Sequence, residues 1–233
     1  MPRVVTSRSM LILAVDTSTQ SGSVALARDG EILALAGNPG ESHSLWLLRS
    51  VDRLLKEAGV AASSVEGYGI VIGPGSFTGL RIGIATVKGL AAAGRKPCAP
   101  VVSLDAMARG MAALRPGKLL APAVDAKKGE VYFALYASSG GAIRRTHEPA
   151  AASPVELLRL ASGGVIAGTG SDLCARTRGP ADEVEFISIP PIAPEVVRIA
   201  HEILVSGCGV TPEQLEPLYL RKSEAEIQAR TEH

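Results

Sequence analysis

The sequence predicts an α/β fold with two lobes, each consisting of a sheet with helices around it. Its 233 residues are enough for two small lobes. Hydrophobic residues make up 46% and charged residues 20%, which supplies a core and argues against a disordered, collagen-like or coiled-coil chain. The third observation is a repeated strand–turn–strand pattern.

The repeat opens with the same tripeptide in both halves. Ala14-Val15-Asp16 and Ala123-Val124-Asp125 each close an apolar run, and each leads through a polar turn into two further strand patterns. The two meanders cover residues 11–36 and 119–147. Chance is the alternative, because the tripeptide is common, but the shared context favours duplication. We therefore expect Asp16 and Asp125 to end equivalent strands of two related sheets.

Helices and further strands fill the rest of each half. Apolar residues at spacings of three and four predict a helix over 43–58. We expect further helices over 78–93, 103–114, 194–206 and 211–215, and short strands over 65–72 and 165–167. Ser153 and Glu156 form a capping box that begins one more helix, which ends at Gly163. We expect an extension at 1–9, lobes at 10–115 and 116–222, and a tail at 223–233.

Charge and cysteine content argue against several classes of protein. The 24 basic and 23 acidic residues give a net charge of +1, whereas a free-standing nucleic-acid binder is usually strongly basic. Aromatic residues, at 3%, are too few for stacking on single strands. Three scattered cysteines fit a reducing compartment. Because no apolar run suits a membrane span or a signal peptide, we expect a cytoplasmic protein without membrane association.

Two kinds of turn are candidates for a position near a phosphate or nucleotide. One is rich in glycine and joins a strand to the helix over 78–93, but it lacks the lysine of a P-loop and the spacing of a dinucleotide fingerprint. The other follows each repeated tripeptide, where an aspartate stands beside small or hydroxyl side chains. The turn Gly168-Thr169-Gly170, which follows the short strand over 165–167, is a weaker candidate beside these two. Together the candidates are Asp16, Thr17, Gly73, Gly75, Ser76, Asp125 and Gly168. The alternative is that these residues serve only the turns themselves.

The first two predicted helices carry small or apolar residues on more than one face. Each glycine inside a helix costs about 1 kcal/mol relative to alanine, so a glycine-rich helix often allows another backbone to approach. We expect both helices to form one exposed interface, and the alternative is that they pack on their own lobe. The expected interface residues are Leu45, Trp46, Leu47, Leu54, Gly79, Gly83 and Val87.

The sequence offers no catalytic residue and no metal site. The four histidines do not cluster, and neither His-Glu-x-x-His nor Gly-x-Ser-x-Gly occurs. A zinc protease and a nucleophile-elbow hydrolase are therefore disfavoured.

Four segments resemble the bacterial TsaB (YeaZ) family. They are Leu-Ile-Leu-Ala-Val-Asp-Thr-Ser at 11–18, Gly-Pro-Gly-Ser-Phe-Thr-Gly-Leu-Arg-Ile-Gly at 73–83, Asp-Ala-Lys-Lys-Gly-Glu-Val-Tyr at 125–132, and Pro-Leu-Tyr-Leu-Arg at 217–221. The segments occur in family order along nearly the whole chain, and the Gly-Pro-Gly-Ser-Phe-Thr-Gly block is specific to this family. The resemblance implies the actin/Hsp70/sugar-kinase (ASKHA) fold and a role in making threonylcarbamoyladenosine beside the anticodon of tRNAs that read codons starting with A.

The resemblance also implies which partner carries the chemistry. The transferase of that pathway is the paralogue TsaD, and its metal-binding histidines correspond to Ser103 and Met107 here. A hydroxyl and a thioether are poor ligands for iron or zinc, so we expect no metal, no other cofactor and no catalysis on this chain alone.

The implied role is that of a scaffold subunit. Its partners would be TsaD and a TsaE-type ATPase, with ATP or ADP acting at the level of the complex, tRNA reached only through it, and a homodimer forming when the chain is alone. The alternative is an ATP-dependent phosphotransferase of the same fold that uses Asp16, Asp125 and the glycine turns. The short second half, residues 117–233, argues against that alternative.

Overall fold

The computed structural model describes residues 9–221, so the expected tail at 223–233 and nearly all of the expected extension at 1–9 lie outside the described residues. The strands are β1 (Leu11–Asp16), β2 (Ser23–Arg28), β3 (Glu31–Gly37), β4 (Gly67–Gly73), β5 (Cys98–Val102), β6 (Leu119–Lys127), β7 (Glu130–Ser139), β8 (Ala142–Ala152), β9 (Val165–Ala167) and β10 (Glu185–Ile187). The helices are α1 (His43–Glu57), α2 (Phe77–Gly94), α3 (Ser103–Leu114), α4 (Pro154–Leu160), α5 (Ser171–Thr177) and α6 (Ala193–Val205). Short 3₁₀ turns occupy Ala62–Ser64 and Pro212–Gln214.

The two sheets share one topology. Their strand orders are β3-β2-β1-β4-β5 and β8-β7-β6-β9-β10. Each begins with an antiparallel meander, and the fourth strand then runs parallel to the first, β4 beside β1 and β9 beside β6. Asp16 is the last residue of β1, and Asp125 lies near the end of β6. The predicted duplication is therefore confirmed.

The chain divides into two compact units, with boundaries that differ from the one expected near residue 115. The first unit holds the described residues up to Ile72, Phe77–Val101 and Pro191–Glu216, and the second holds Gly73–Ser76, Val102–Pro190 and the described residues from Pro217. Helix α6 belongs to the first unit because it packs on β1 and β2. Gly69 of β4 makes room for it, since a Cβ there would lie 2.8 Å from the Ala200 methyl group. Helix α3 belongs to the second unit because it contacts β6, β7 and β8.

Most of the side chains expected at an interface lie in the interior of the first unit. Trp46, Leu47 and Leu54 of α1 and Val87 of α2 belong to one buried cluster with β1 and β2. Leu45, in contrast, is 65% exposed. Two apolar series overlap along α1, and the series that contains Trp46 and Leu47 is the one that faces the sheet. The expectation that these buried side chains form an exposed patch is therefore corrected.

The glycines of α2 fall on opposite faces of the helix. Gly79 and Gly83 are buried, and a Cβ at Gly83 would overlap the Thr17 hydroxyl oxygen and lie 3.3 Å from Ile70 Cδ1. Only glycine permits this approach of α2 to β1 and β4. Gly89 is exposed, and a Cβ there would meet nothing within 4 Å. The close approach that the sequence indicated is made to the protein's own sheet at Gly83, and Gly89 plays no part in it.

Within residues 9–221, no helix combines the length and the apolar character that crossing a membrane requires.

Two alanine substitutions should separate the two faces of α2. Gly83→Ala should lower the free energy of unfolding by about 1–3 kcal/mol, because the new methyl group forces Thr17 or the helix to move. Gly89→Ala should raise it by up to about 1 kcal/mol, because alanine favours a helix and meets no neighbour. Urea unfolding of both variants measures the difference, and equal effects would contradict this account of α2.

Candidate functional site

The end of β1 and the first residues of the turn that follows it are buried and hydrogen-bonded to one another. Asp16, Thr17 and Ser18 are almost fully buried, and both the backbone N–H and the hydroxyl of Ser18 donate to Asp16 Oδ1, at 2.8 and 2.6 Å. Burial raises the pKa of Asp16, although the Ser18 bonds and nearby His43 act in the opposite direction. The Thr17 hydroxyl packs against Gly83 and has no hydrogen-bond partner within the described part of the chain. Asp16 thus stabilises the turn through Ser18, and Thr17 packs against α2.

His43 connects this turn to the start of α1. Its Nε2 lies 2.9 Å from the carbonyl oxygen of Thr19, and its Nδ1 lies 3.3 Å from the side-chain nitrogen of Asn38. A Cβ at Gly22 would lie 2.7 Å from the His43 ring, so glycine is required where the turn passes the imidazole. The first turn of α1 is therefore fixed relative to the β1–β2 connection.

The corresponding turn of the second unit is exposed and charged. The backbone N–H of Lys127 donates to Asp125 Oδ1, and Lys127 Nζ lies 2.8 Å from Asp125 Oδ2. Partial burial would raise the pKa of Asp125, but the hydrogen bonds and charge of Lys127 outweigh it, so the pKa is lowered. The backbone N–H of Asp125 donates to the Thr169 hydroxyl at 3.1 Å, which places Asp125 next to the Gly168 turn.

Gly168 has a packing role. Its φ is 107°, and a Cβ there would overlap both Met107 and the carbonyl oxygen of Ala123. Glycine is therefore needed where the chain after β9 crosses β6. The structure thus brings Asp125 and the Gly168 turn together within the second unit.

The glycine-rich segment over 73–76 is held by the start of α3. Ser103 is fully buried, and its hydroxyl donates to the carbonyl oxygen of Pro74 at 2.6 Å, while Met107 packs on Gly168. The candidates Gly73, Gly75 and Ser76 belong to this segment. Both side chains that the resemblance placed at metal-ligand positions are therefore used in packing. Among the described residues, no group of three His, Cys, Asp or Glu side chains is arranged to hold a metal ion.

A polar network that the sequence did not indicate fastens α3 to β7 and β8. Both Asp105 carboxylate oxygens accept from Arg145 Nη2 at 2.6 Å, and the Tyr136 hydroxyl donates to Asp105 Oδ1 at 2.6 Å. Burial and the Asp105 carboxylate raise the pKa of Tyr136. Tyr136 and Arg145 lie 31 and 40 positions from Asp105 along the chain, so no local sequence pattern indicated that the three residues meet.

The outward faces of α1 and α2 form the second candidate site, which we call the helix-pair surface. It comprises Leu45, Leu48, Ala85, Gly89 and Ala92, all of them exposed. The two leucines lie one turn apart on α1, and the three small residues repeat at spacings of four and three along α2. Because α1 contacts α2 and both cover the same face of the first sheet, the two outward faces are neighbours.

Comparison with known proteins agrees with this architecture. A family model described as TsaD, tRNA N6-adenosine threonylcarbamoyltransferase, matches residues 39–196. The tRNA threonylcarbamoyladenosine biosynthesis protein TsaB of Escherichia coli (strain K12) is 32% identical over 225 residues, which are 93% of this chain and 96% of the relative. The TsaB protein of Bacillus subtilis (strain 168) is 32% identical over 137 residues, which are 58% of this chain and 59% of the relative. The structure of YeaZ from Pseudomonas aeruginosa matches with a TM-score of 0.78 at 33% identity, covering 91% of this chain and 100% of that one.

The paired meander sheets define an α/β protein of the actin/Hsp70/sugar-kinase fold, as the resemblance implied. Within that class, the chain belongs to the TsaB (YeaZ) family.

The pH dependence of stability should distinguish the buried Asp16 from an exposed aspartate. Because the folded-state pKa of Asp16 is raised, the folded state binds a proton more tightly than the unfolded state. The stability that protonated Asp16 contributes is fully present below pH 3.8, its ordinary pKa. This contribution is lost as the pH rises from 3.8 through the raised pKa. Relative to the wild type, Asp16→Asn should gain stability over that range.

Asp29 is the matched control, because its pKa is lowered by bonds from the Met10 N–H and the Ser9 hydroxyl. The ionised Asp29 stabilises the folded state above its ordinary pKa, so Asp29→Asn should lose stability relative to the wild type as the pH rises. Urea unfolding of the three proteins at several pH values measures both trends. Parallel pH profiles for the two variants would contradict the assignment of Asp16 as a buried, desolvated carboxyl.

Proposed function

We propose that this protein is a non-catalytic subunit in the synthesis of threonylcarbamoyladenosine on tRNA, where it binds and supports a TsaD-type transferase. Membership of the TsaB family supports the pathway. The observation that carries the scaffold role is the helix-pair surface, where apolar leucines stand beside a stripe of small residues. In this proposal the assembled complex also contains a TsaE-type ATPase and uses ATP or ADP. The complex acts in the cytoplasm.

The helix-pair surface has properties that its own fold does not require. Leu45 and Leu48 are 65% and 55% exposed, although leucine side chains contribute most when they are buried. Gly89 lowers the stability of α2 and leaves open space where a side chain would fit. A partner helix that approaches closely along Ala85, Gly89 and Ala92 would give a reason for both features, because the leucines would then be buried beside it.

A TsaD-type paralogue suits this surface because the paralogue is expected to present an equivalent pair of helices. The two pairs would form a four-helix contact with a pseudo-two-fold axis. Alone, the protein would pair the same surface with itself, since a two-fold contact needs one self-complementary patch. Stable interfaces bury about 800 Å² per partner, which two helices of 15 and 18 residues can supply.

The packing of the candidate polar residues in each unit is consistent with a supporting role. Ser103 and Met107 are committed to packing against Pro74 and Gly168. A phosphotransferase would need Asp16 to reach a ligand, whereas Asp16 is buried and hydrogen-bonded to Ser18. The transfer step and the contact with the modified adenosine are therefore assigned to the partner.

The proposal is tested by purifying the tagged protein from its host and asking whether the TsaD paralogue elutes with it. Leu45→Arg combined with Leu48→Arg should abolish this association, because charged side chains would be buried against the partner. Gly89→Leu should weaken it at least tenfold through steric overlap. The leucine double variant should keep the wild-type unfolding transition, since both positions are exposed, and Gly89→Leu should keep or raise it, because leucine favours a helix more than glycine does.

Val155→Arg is the matched control, because Val155 is 63% exposed on α4 in the second unit. This variant should bind the partner as the wild type does. Undiminished binding by the leucine double variant would place the contact elsewhere, and failure of the wild type to associate would contradict the scaffold role itself.

A further inference from the structure

Two consecutive lysines form the tip of the β6–β7 hairpin. Lys127 pairs with Glu130 across the hairpin, so Lys128 and Gly129 are the central residues of the turn. The φ angles of Lys127, Lys128 and Gly129 are 63°, 54° and 78°. A two-residue turn of this kind requires positive φ at both central positions, which glycine, asparagine and aspartate adopt far more readily than lysine. The turn geometry alone therefore does not account for the lysines.

The acidic groups next to the tip already have basic partners. The Asp125 carboxylate pairs with Lys127, and the Glu130 carboxylate pairs with Arg221. Lys127 nevertheless remains 82% exposed, and Lys128 is exposed as well. The tip of the hairpin thus presents two neighbouring lysine side chains that both reach solvent. We call Lys127 and Lys128 the hairpin lysines.

The equivalent turn of the first unit lacks this character. Residues 17–22, Thr-Ser-Thr-Gln-Ser-Gly, contain no basic side chain, and Thr17 and Ser18 are buried. The two meanders have the same strand order, so the charged tip is a property of the second copy. The duplicated framework itself does not require it.

We propose that the hairpin lysines bind phosphate groups of the RNA backbone when the protein is assembled with its transferase. The inference rests on the proposed function, which supplies an RNA substrate. Lysine ammonium groups act as compact charges toward phosphate oxygens, and such contacts position an RNA without reading its sequence. A chain with a net charge of +1 has little long-range attraction for RNA, so a local group of exposed basic side chains is the means by which it can add to RNA binding.

Asparagine is the informative substitution, because it favours positive φ while it removes the charge. In the purified complex with the TsaD-type partner, Lys127→Asn/Lys128→Asn should keep or raise the unfolding temperature and should keep co-elution. Affinity for an in vitro transcribed tRNA that reads a codon starting with A should fall by roughly fivefold for each lysine–phosphate pair that the substitutions remove. The slope of log K against log salt should decrease by about 0.7–0.9 for each such pair.

Lys118→Asn is the matched control, because Lys118 is an exposed lysine elsewhere in the second unit. Its complex should bind the tRNA with wild-type affinity and salt dependence. An equal loss in this control, or unaltered RNA affinity in the double variant, would overturn the inference while the proposed function stands. A change confined to ATP binding, measured by titration at the same salt concentration, would assign the lysines to a nucleotide and would also overturn it. If the wild-type complex does not assemble, the proposed function and this inference both fail.

Discussion

The close approach of α2 to β1 at Gly83 is the constraint on which the first unit depends. A side chain at this position would overlap Thr17, so the helix can rest on the strand only in one rotation about its own axis. That rotation directs Leu80, Ile84, Val87 and Ala91 into the core and leaves Ala85, Gly89 and Ala92 outside. The composition of the helix-pair surface is therefore a consequence of how α2 is seated, and α1 completes it from the neighbouring position.

The two units show how one duplicated framework supports different surfaces. Both have the same strand order and an aspartate at or near the end of the first strand. In the first unit the turn after this aspartate carries no charged side chain, its first residues Thr17 and Ser18 are buried, and Thr17 lies against Gly83 of α2, the helix that we propose as part of an interface. In the second unit the turn is exposed and basic, and its aspartate pairs with Lys127. Burial raises the pKa of Asp16, whereas the hydrogen bonds and charge of Lys127 outweigh partial burial and lower the pKa of Asp125.

The sequence was sufficient to predict the duplication and most of the elements. The repeated Ala-Val-Asp units led to the paired sheets, the helix over 103–114 and the strand over 165–167 have the predicted bounds, and the Ser153 hydroxyl accepts from the Glu156 N–H as the capping box requires. The rotation of α1 was not predictable, because Leu45 and Leu48 belong to one apolar series and Trp46 and Leu47 to another. Only the position of the sheet and α2 decides which series is buried.

Other features depend on contacts between distant parts of the chain. The return of α6 to the first unit rests on its fit against Gly69, and the short elements β5, α5 and β10 have too few residues for a periodic pattern. The glycine block over 73–79 was recognised as a strand-to-helix turn, but the bond from Ser103 to Pro74 joins residues 29 positions apart. The positive φ angles of the hairpin lysines could not be predicted from the sequence, because lysine is an unusual residue for that conformation.

Hydrogen–deuterium exchange of the protein, alone and mixed with the TsaD-type partner, tests the central claim most directly. If the outward faces of α1 and α2 form the contact, complex formation should slow amide exchange in peptides that cover residues 45–52 and 82–93. Peptides of α4 and α5 in the second unit should exchange at the same rate in both samples. Protection confined to the second unit, with α1 and α2 unchanged, would contradict the account.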